Sequence, residues 1–177
     1  MEETVFYDEE VKAGDKAEKP KVDLKIKVCK PDILFTAMWK DNILPVVSKL
    51  SDQSSGCFSA YEVTLAIQSG GSVLLLGTVN DLFAGFTVIE LGGARMGQTA
   101  ADGPSLWITY FCDRYRGTNA VYDGAKFVED LALKSLGAKA IYTICYDDDL
   151  SALFKKIGFV EIQKLTYFRK ELISSER

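Results

Sequence analysis

Apolar and polar residues alternate strictly from position 22, with Val22, Leu24, Ile26 and Val28 set against Asp23, Lys25, Lys27 and Cys29. A period of two predicts a half-buried strand, and lysines on its open face suit the edge of a sheet. The 21 residues before it follow no such period. They mix Glu2, Glu3, Asp8, Glu9 and Glu10 with Lys12, Lys16, Lys19 and Lys21, and they hold too few apolar residues to offset the entropy of ordering. Residues 1–21 therefore read as a tail: either plain disorder or an arm that orders against a neighbouring subunit, with Val5-Phe6-Tyr7 as its anchor. Residues 22–177 read as one domain.

Further along, the period lengthens. Pro31 opens a helical stretch that puts Ile33, Leu34, Met38 and Trp39 on one face, and Pro45 starts a second short turn with Val46, Val47 and Leu50. A Ser- and Gly-containing loop over Ser51 to Gly56 precedes a helix from Phe58 to Gln68, which Gly70-Gly71 ends. Val73 to Val79 and Ala84 to Leu91 predict a hairpin around Asn80-Asp81-Leu82-Phe83. Gly92 to Ser105, whose only charges are Arg95 and Asp102, is a loop: a mobile segment beside a site or an ordinary connection.

The run Leu106-Trp107-Ile108-Thr109-Tyr110-Phe111-Cys112 is a buried strand, and Asp113-Arg114-Tyr115-Arg116-Gly117-Thr118-Asn119 turns the chain directly into an amphipathic helix. That helix stacks Val121, Ala125, Val128, Ala132 and Leu136 on one stripe, and Gly137 stops it. Ala140 to Tyr146 is a strand. Leu150, Leu153, Phe154 and Ile157 then define a helix with Asp147, Asp148 and Asp149 at its positive start, Lys155 and Lys156 at its end, and Gly158 as cap. Phe159 to Glu171 reads as two more strands, with Leu165 to Arg169 closing the sheet.

Composition narrows the chemistry. Among 177 residues, 21 Lys and Arg against 25 Asp and Glu give a net charge of −4, with no basic stripe of the kind that binds a phosphate backbone. Nucleic acid is thus not an expected partner. The absence of histidine removes Ser-His-Asp and Cys-His catalysis and most transition-metal sites. Cys29, Cys57, Cys112 and Cys145 form no CxxC pair, so free thiols are expected rather than a zinc site or disulfide scaffold. No apolar run approaches a membrane span and no signal peptide stands out, so the expected setting is the cytoplasm or the inside of a particle.

The order strand, Tyr115-Arg116-Gly117 turn, helix, and a later short helix closed by Gly158-Phe159 resembles the GNAT superfamily of acyl-CoA N-acyltransferases over roughly residues 72–172. That family's turn reads Arg-x-x-Gly-x-Gly or Ala. Counted from Arg116, this chain has Asn119 and Val121 at the two small positions; counted from Arg114, Gly117 is restored and Asn119 again departs. The resemblance implies an α/β (α+β) fold with a mixed, mostly antiparallel central sheet of six or seven strands flanked by about four helices. It implies acetyl-CoA or another acyl-CoA as donor and an amine of a small molecule or protein as acceptor. In such a layout Trp39, Phe58 and Tyr61 are core or border the acceptor pocket.

The resemblance also distributes roles. The main-chain groups of Tyr110 and Phe111 would receive the pantetheine arm. Arg114, Arg116, Gly117, Thr118, Asn119 and Ala120 would hold the pyrophosphate on turn amides and a helix start. Asp147 stands where the family commonly has an asparagine that touches the cofactor arm, and Phe154 where it often has a tyrosine. Acyl transfer needs a base for the ammonium and a proton for the departing thiolate. Candidates are Glu90, or a water chain reaching Asp113, for the first, and Tyr110, Tyr146 or Cys145 for the second. Two other readings stay open. One is a GNAT-shaped structural or interaction protein without catalysis, of the kind bacteriophages carry, including inside virions. The other is a GNAT-like enzyme that uses a different donor.

Overall fold

Among the described residues, five strands pair side by side in chain order: β1 (Leu24–Cys29), β2 (Ser72–Val79), β3 (Leu82–Glu90), β4 (Ser105–Phe111) and β5 (Tyr142–Thr143). All neighbours are antiparallel except β4 and β5, which run parallel. The computed structural model describes residues 20–54, 57–91, 103–143 and 148–160. The last two expected strands therefore lie outside the described residues, as do all but the end of the tail and most of the loop after β3. The helices are α1 (Leu44–Gln53), α2 (Ala60–Gln68), the single-turn α3 (Asp113–Arg116), α4 (Ala120–Ser135) and α5 (Asp148–Lys156). Mixed α and β content around a mostly antiparallel sheet is the expected class.

Local chemistry explains the boundaries. Asn80 and Asp81 adopt φ of 51° and 62°, so two residues rather than four close the hairpin and β3 begins at Leu82. Both side chains tolerate the left-handed region that such a two-residue turn demands. Pro45 does not open a separate turn. A wide helical turn over Met38–Ile43 runs straight into α1, and the missing proline N–H falls in the first turn of α1. Ser59 caps α2: its Oγ accepts from the Glu62 N–H at 3.1 Å, while the Glu62 carboxylate accepts from the Ser59 N–H at 2.7 Å.

The sheet is apolar on both faces. On one, Leu74, Leu76, Phe86, Val88 and Ile108 pack against Trp39, Ile43, Val47, Val63 and Ile67 from the preceding helices. On the other, Leu75, Ile89 and Leu106 meet Val128 of α4 and Phe154 of α5. Each such side chain taken fully from water contributes roughly 1.5–3 kcal/mol.

A bulge interrupts β4. Val88 pairs with Ile108 while Ile89 pairs with Leu106, so Trp107 is the extra residue. Its effect is visible in the core, because Leu106 and Ile108, two residues apart, pack on opposite faces. The residues after the bulge are thereby re-aimed relative to those before it.

Candidate active site

Among the described residues, β5 pairs with β4 only at Ser105↔Tyr142 and Leu106↔Thr143. Beyond Leu106 the edge of β4 borders a cleft of about 450 Å³ that takes in every residue from Leu106 to Phe111. Leu50 and Phe58 wall one side, Leu153 and Phe154 of α5 the other, and Arg116 stands at its far end. The bulge at Trp107 and the cleft occur on the same strand.

The ladder decides which peptide groups reach this cleft. The Cys112 N–H donates to Ala84 O at 2.9 Å, and the Tyr110 carbonyl lies against Gly85. The peptides of Tyr110 and Cys112 thus face β3. By alternation those of Thr109 and Phe111 face the cleft. The Phe111 carbonyl on that edge accepts from Arg116 Nε at 3.2 Å. Tyr110 instead contributes its ring, stacked with Phe83 at 6.3 Å between centroids and near Phe86 at 6.0 Å. Thr109 is the residue that sequence reasoning missed. A strand buried on both faces carries no alternation from which the direction of its peptides can be read.

The Phe111 ring turns inward, into a slot where side chains have been deleted. A Cβ at Gly85 would sit 3.3 Å from the ring and 2.3 Å from the Tyr110 carbonyl oxygen; one at Gly124 would sit 3.0 Å from the ring. Two glycines on different elements therefore let β3, β4 and α4 approach around one aromatic.

The turn after β4 is a short helix, and it bonds largely to itself. Gly117 and Asn119 are both right-handed, at φ −86° and −66°. The tolerance of asparagine for a left-handed backbone is not what the turn uses. Asn119 Oδ1 accepts from the Val22 N–H at 2.7 Å and its Nδ2 donates to Val22 O at 2.9 Å, tying the start of the domain to the turn across 97 residues. The buried Thr118 hydroxyl donates to Tyr115 O at 2.8 Å and accepts from the Ala120 N–H at 3.1 Å. Ala120 is fully buried. Val121 is 3 % exposed and faces the sheet, so its branched side chain points away from the turn.

The two arginines diverge. Arg114 Nη2 donates to Phe83 O at 3.0 Å and its guanidinium lies 4.7 Å from the Tyr115 ring centroid. Arg116 Nε donates to Phe111 O at 3.2 Å and pairs with Asp113 at 3.2 Å. This clamp uses one of the five guanidinium donors and holds the group at the mouth of the cleft. A Cβ at Gly117 would meet nothing within 4 Å.

The catalytic candidates are not gathered together. Burial, and then the neighbouring Cys112 and Asp113, push the Tyr110 phenol above its ordinary value of 10.0. It keeps its proton at neutral pH and is a donor rather than a base. Glu90 pairs with Ser105 at the last residue of β3, four residues on from Phe86, which pairs with Tyr110. Four residues of strand put the two roughly 13 Å apart. Phe154 is a buried core residue, edge-on to Phe159 at 5.0 Å. Cys145, Tyr146 and Asp147 lie outside the described residues. No group of metal-ligating side chains occurs among the described residues.

No family model matches the chain, and no curated protein matches it in sequence. Solved structures do match it in shape. A ribosomal-protein-alanine N-acetyltransferase from Brucella melitensis biovar Abortus 2308 has a TM-score of 0.55 at 11% identity, covering 84% of this chain and 100% of its own. A possible acetyltransferase from Clostridium difficile 630 has a TM-score of 0.57 at 13% identity, covering 85% of this chain and 99% of its own. An aminoglycoside N-acetyltransferase in complex with CoA has a TM-score of 0.56 at 11% identity, covering 86% of this chain and 98% of its own. The fold is thus that of the GNAT acetyltransferases.

Proposed function

We propose that the chain is an N-acyltransferase that moves an acyl group from acyl-CoA to an amine of a small molecule or protein. The observation that carries this reading is the cleft along the edge of β4, which begins just past the bulge and ends at Arg116. A strand edge offering alternate peptide groups suits an extended amide-bearing arm, and Thr109 and Phe111 would bond it. Arg116 would face the phosphates, with open space at Gly117. Acyl-CoA supplies the activated thioester; this chain's residues supply orientation and a proton. Among the described residues, Tyr110 is the group suited to hold that proton. Glu90, paired with Ser105 at the N-terminal end of β4, is the carboxylate that would receive one from the acceptor.

One observation favours a second reading. Thr118, Asn119 and the Ala120 amide are engaged within the protein, which suits a GNAT-shaped structural or interaction module that has no donor to hold.

Release of free thiol from acetyl-CoA, measured with a panel of primary amines, separates the two. The acyltransferase reading expects amine-dependent thiol release that saturates in both substrates. Background hydrolysis alone with every amine, from a folded chain, would favour the structural module.

A further inference from the structure

A second cavity, of about 70 Å³, lies behind the cleft, between the sheet and the first part of α4. Protein cores pack so closely that voids larger than a water molecule are few, so this one needs a reason. Three glycines from different elements border it, Gly77 of β2, Gly85 of β3 and Gly124 of α4, and the side chains that would fill that layer are missing. Leu75, Val121 and Val128 give it apolar walls. Two threonines also line it, and their protons are spent within the protein. Thr87 Oγ1 donates to Ile108 O at 2.9 Å, so the 2.6 Å bond between the two hydroxyls is donated by Thr109. No hydroxyl proton is left for a polar guest. Glu129, exposed on α4, borders the cavity too and disfavours an anionic one.

We propose that this cavity takes the tail of a short unbranched acyl group, so that the chain prefers a butyryl to an acetyl donor. The inference rests on the acyltransfer reading, in which the donor arm lies along Thr109 and Phe111. Those two residues, with Leu106, Leu153 and Phe154, line both the cleft and the cavity, so a single layer of side chains divides the arm from the space behind it. Size sets the length of the guest. An apolar cavity of about 150 Å³ takes the six carbons of benzene, and one about half as large has room for about three. A butyryl group carries three carbons beyond its carbonyl, whereas an acetyl group carries one and would leave most of the cavity unfilled.

The full chain, with its methyl groups isotopically labelled, is titrated with S-acetyl- and S-butyryl-N-acetylcysteamine. These thioesters lack the nucleotide, so the cavity is tested whether or not the turn holds coenzyme A, and the two readings can fail separately. The expected result is a saturable shift of the Leu75, Val121 and Val128 methyl signals with the butyryl thioester. It should bind about tenfold more tightly than the acetyl one, the worth of two buried methylenes. Ala125→Leu adds three carbons at the cavity wall and should bring the butyryl affinity down to the acetyl level. Val128→Ala removes two carbons and should move the preference to S-hexanoyl-N-acetylcysteamine. Equal affinities for the acetyl and butyryl thioesters in the folded native chain, or no binding of either, would overturn the inference. So would a butyryl preference that survives Ala125→Leu, a preferred length that Val128→Ala does not increase, or shifts that spare the methyls around the cavity.

Discussion

The two ends of β4 are built on opposite plans. At the Phe111 end, the polar groups of the turn are bonded within the protein: Arg114 to Phe83, Arg116 to Phe111 and Asp113, Thr118 to Tyr115 and Ala120, Asn119 to Val22. At the Ser105 end, the Ser72 and Ser105 hydroxyls are buried with no partner. The first end is rigid before any ligand arrives, and it offers what remains of Arg116 and the open space at Gly117. The second offers unmet hydrogen-bonding capacity. A motif in the sequence marks the first, and only the strand register marks the second.

The most damaging way to test this contrast is to disturb the ladder that carries both ends. Gly85→Ala places a Cβ 2.3 Å from the Tyr110 carbonyl oxygen, a backbone atom that cannot rotate away. The expected loss is about 3 kcal/mol or more, measured by urea unfolding, because the β3–β4 ladder must shift. A stability within error of the native chain would mean that β4 is not held as described.

The next test acts on the turn alone. In Gly117→Glu the new Cβ meets no atom within 4 Å, so folding should change by less than about 0.5 kcal/mol. A carboxylate set at the phosphates should weaken acetyl-CoA binding by about a hundredfold or more. Native-like affinity in that variant would remove the turn from the site.

Asn119→Ala should cost about 1–2 kcal/mol in unfolding free energy, since it breaks two bonds to the Val22 backbone. The loss should persist without any ligand. An unchanged midpoint would show that Val22 is held by other means.

The smallest effect is alkaline. The Cys29 thiol, raised by burial above its ordinary 9.0, and the raised Tyr110 phenol keep their protons in the fold longer than in the unfolded chain. Above those ordinary values the unfolded state binds fewer protons, so stability falls as pH rises, from about pH 9 for Cys29 and about pH 10 for Tyr110. Tyr110→Phe should flatten the upper part of that decline, read as thermal midpoints across alkaline pH. A decline of the same slope in the variant would assign it to other groups.

Much of this architecture is legible in the residues. Alternation from Val22 marks β1 as far as Lys27, after which Val28 is exposed and Cys29 buried, the reverse of the pattern; Asn80-Asp81 marks the hairpin, and the 3.6-residue stripe through Val121, Val128 and Ala132 marks α4, because each pattern is local. What stays hidden depends on partners distant in sequence. The bulge at Trp107 needs the register of β3, and the continuous run through Pro45 needs the wide turn upstream of it. Asn119 reads locally as a departure from a glycine turn, whereas its partner is Val22, 97 residues away. Val121 reads as an obstruction near the phosphates until the helix phase turns it to the sheet. Ser72 and Ser105 are unremarkable in sequence, and only the packed sheet leaves their hydroxyls buried without a partner.

The proposal of acyl transfer rests on a cleft that holds a CoA thioester, and calorimetric titration of acetyl-CoA into the full chain tests that most directly. The account predicts a saturable heat with one ligand per chain. No heat at millimolar acetyl-CoA, from a chain whose cooperative unfolding shows it to be folded, would contradict it.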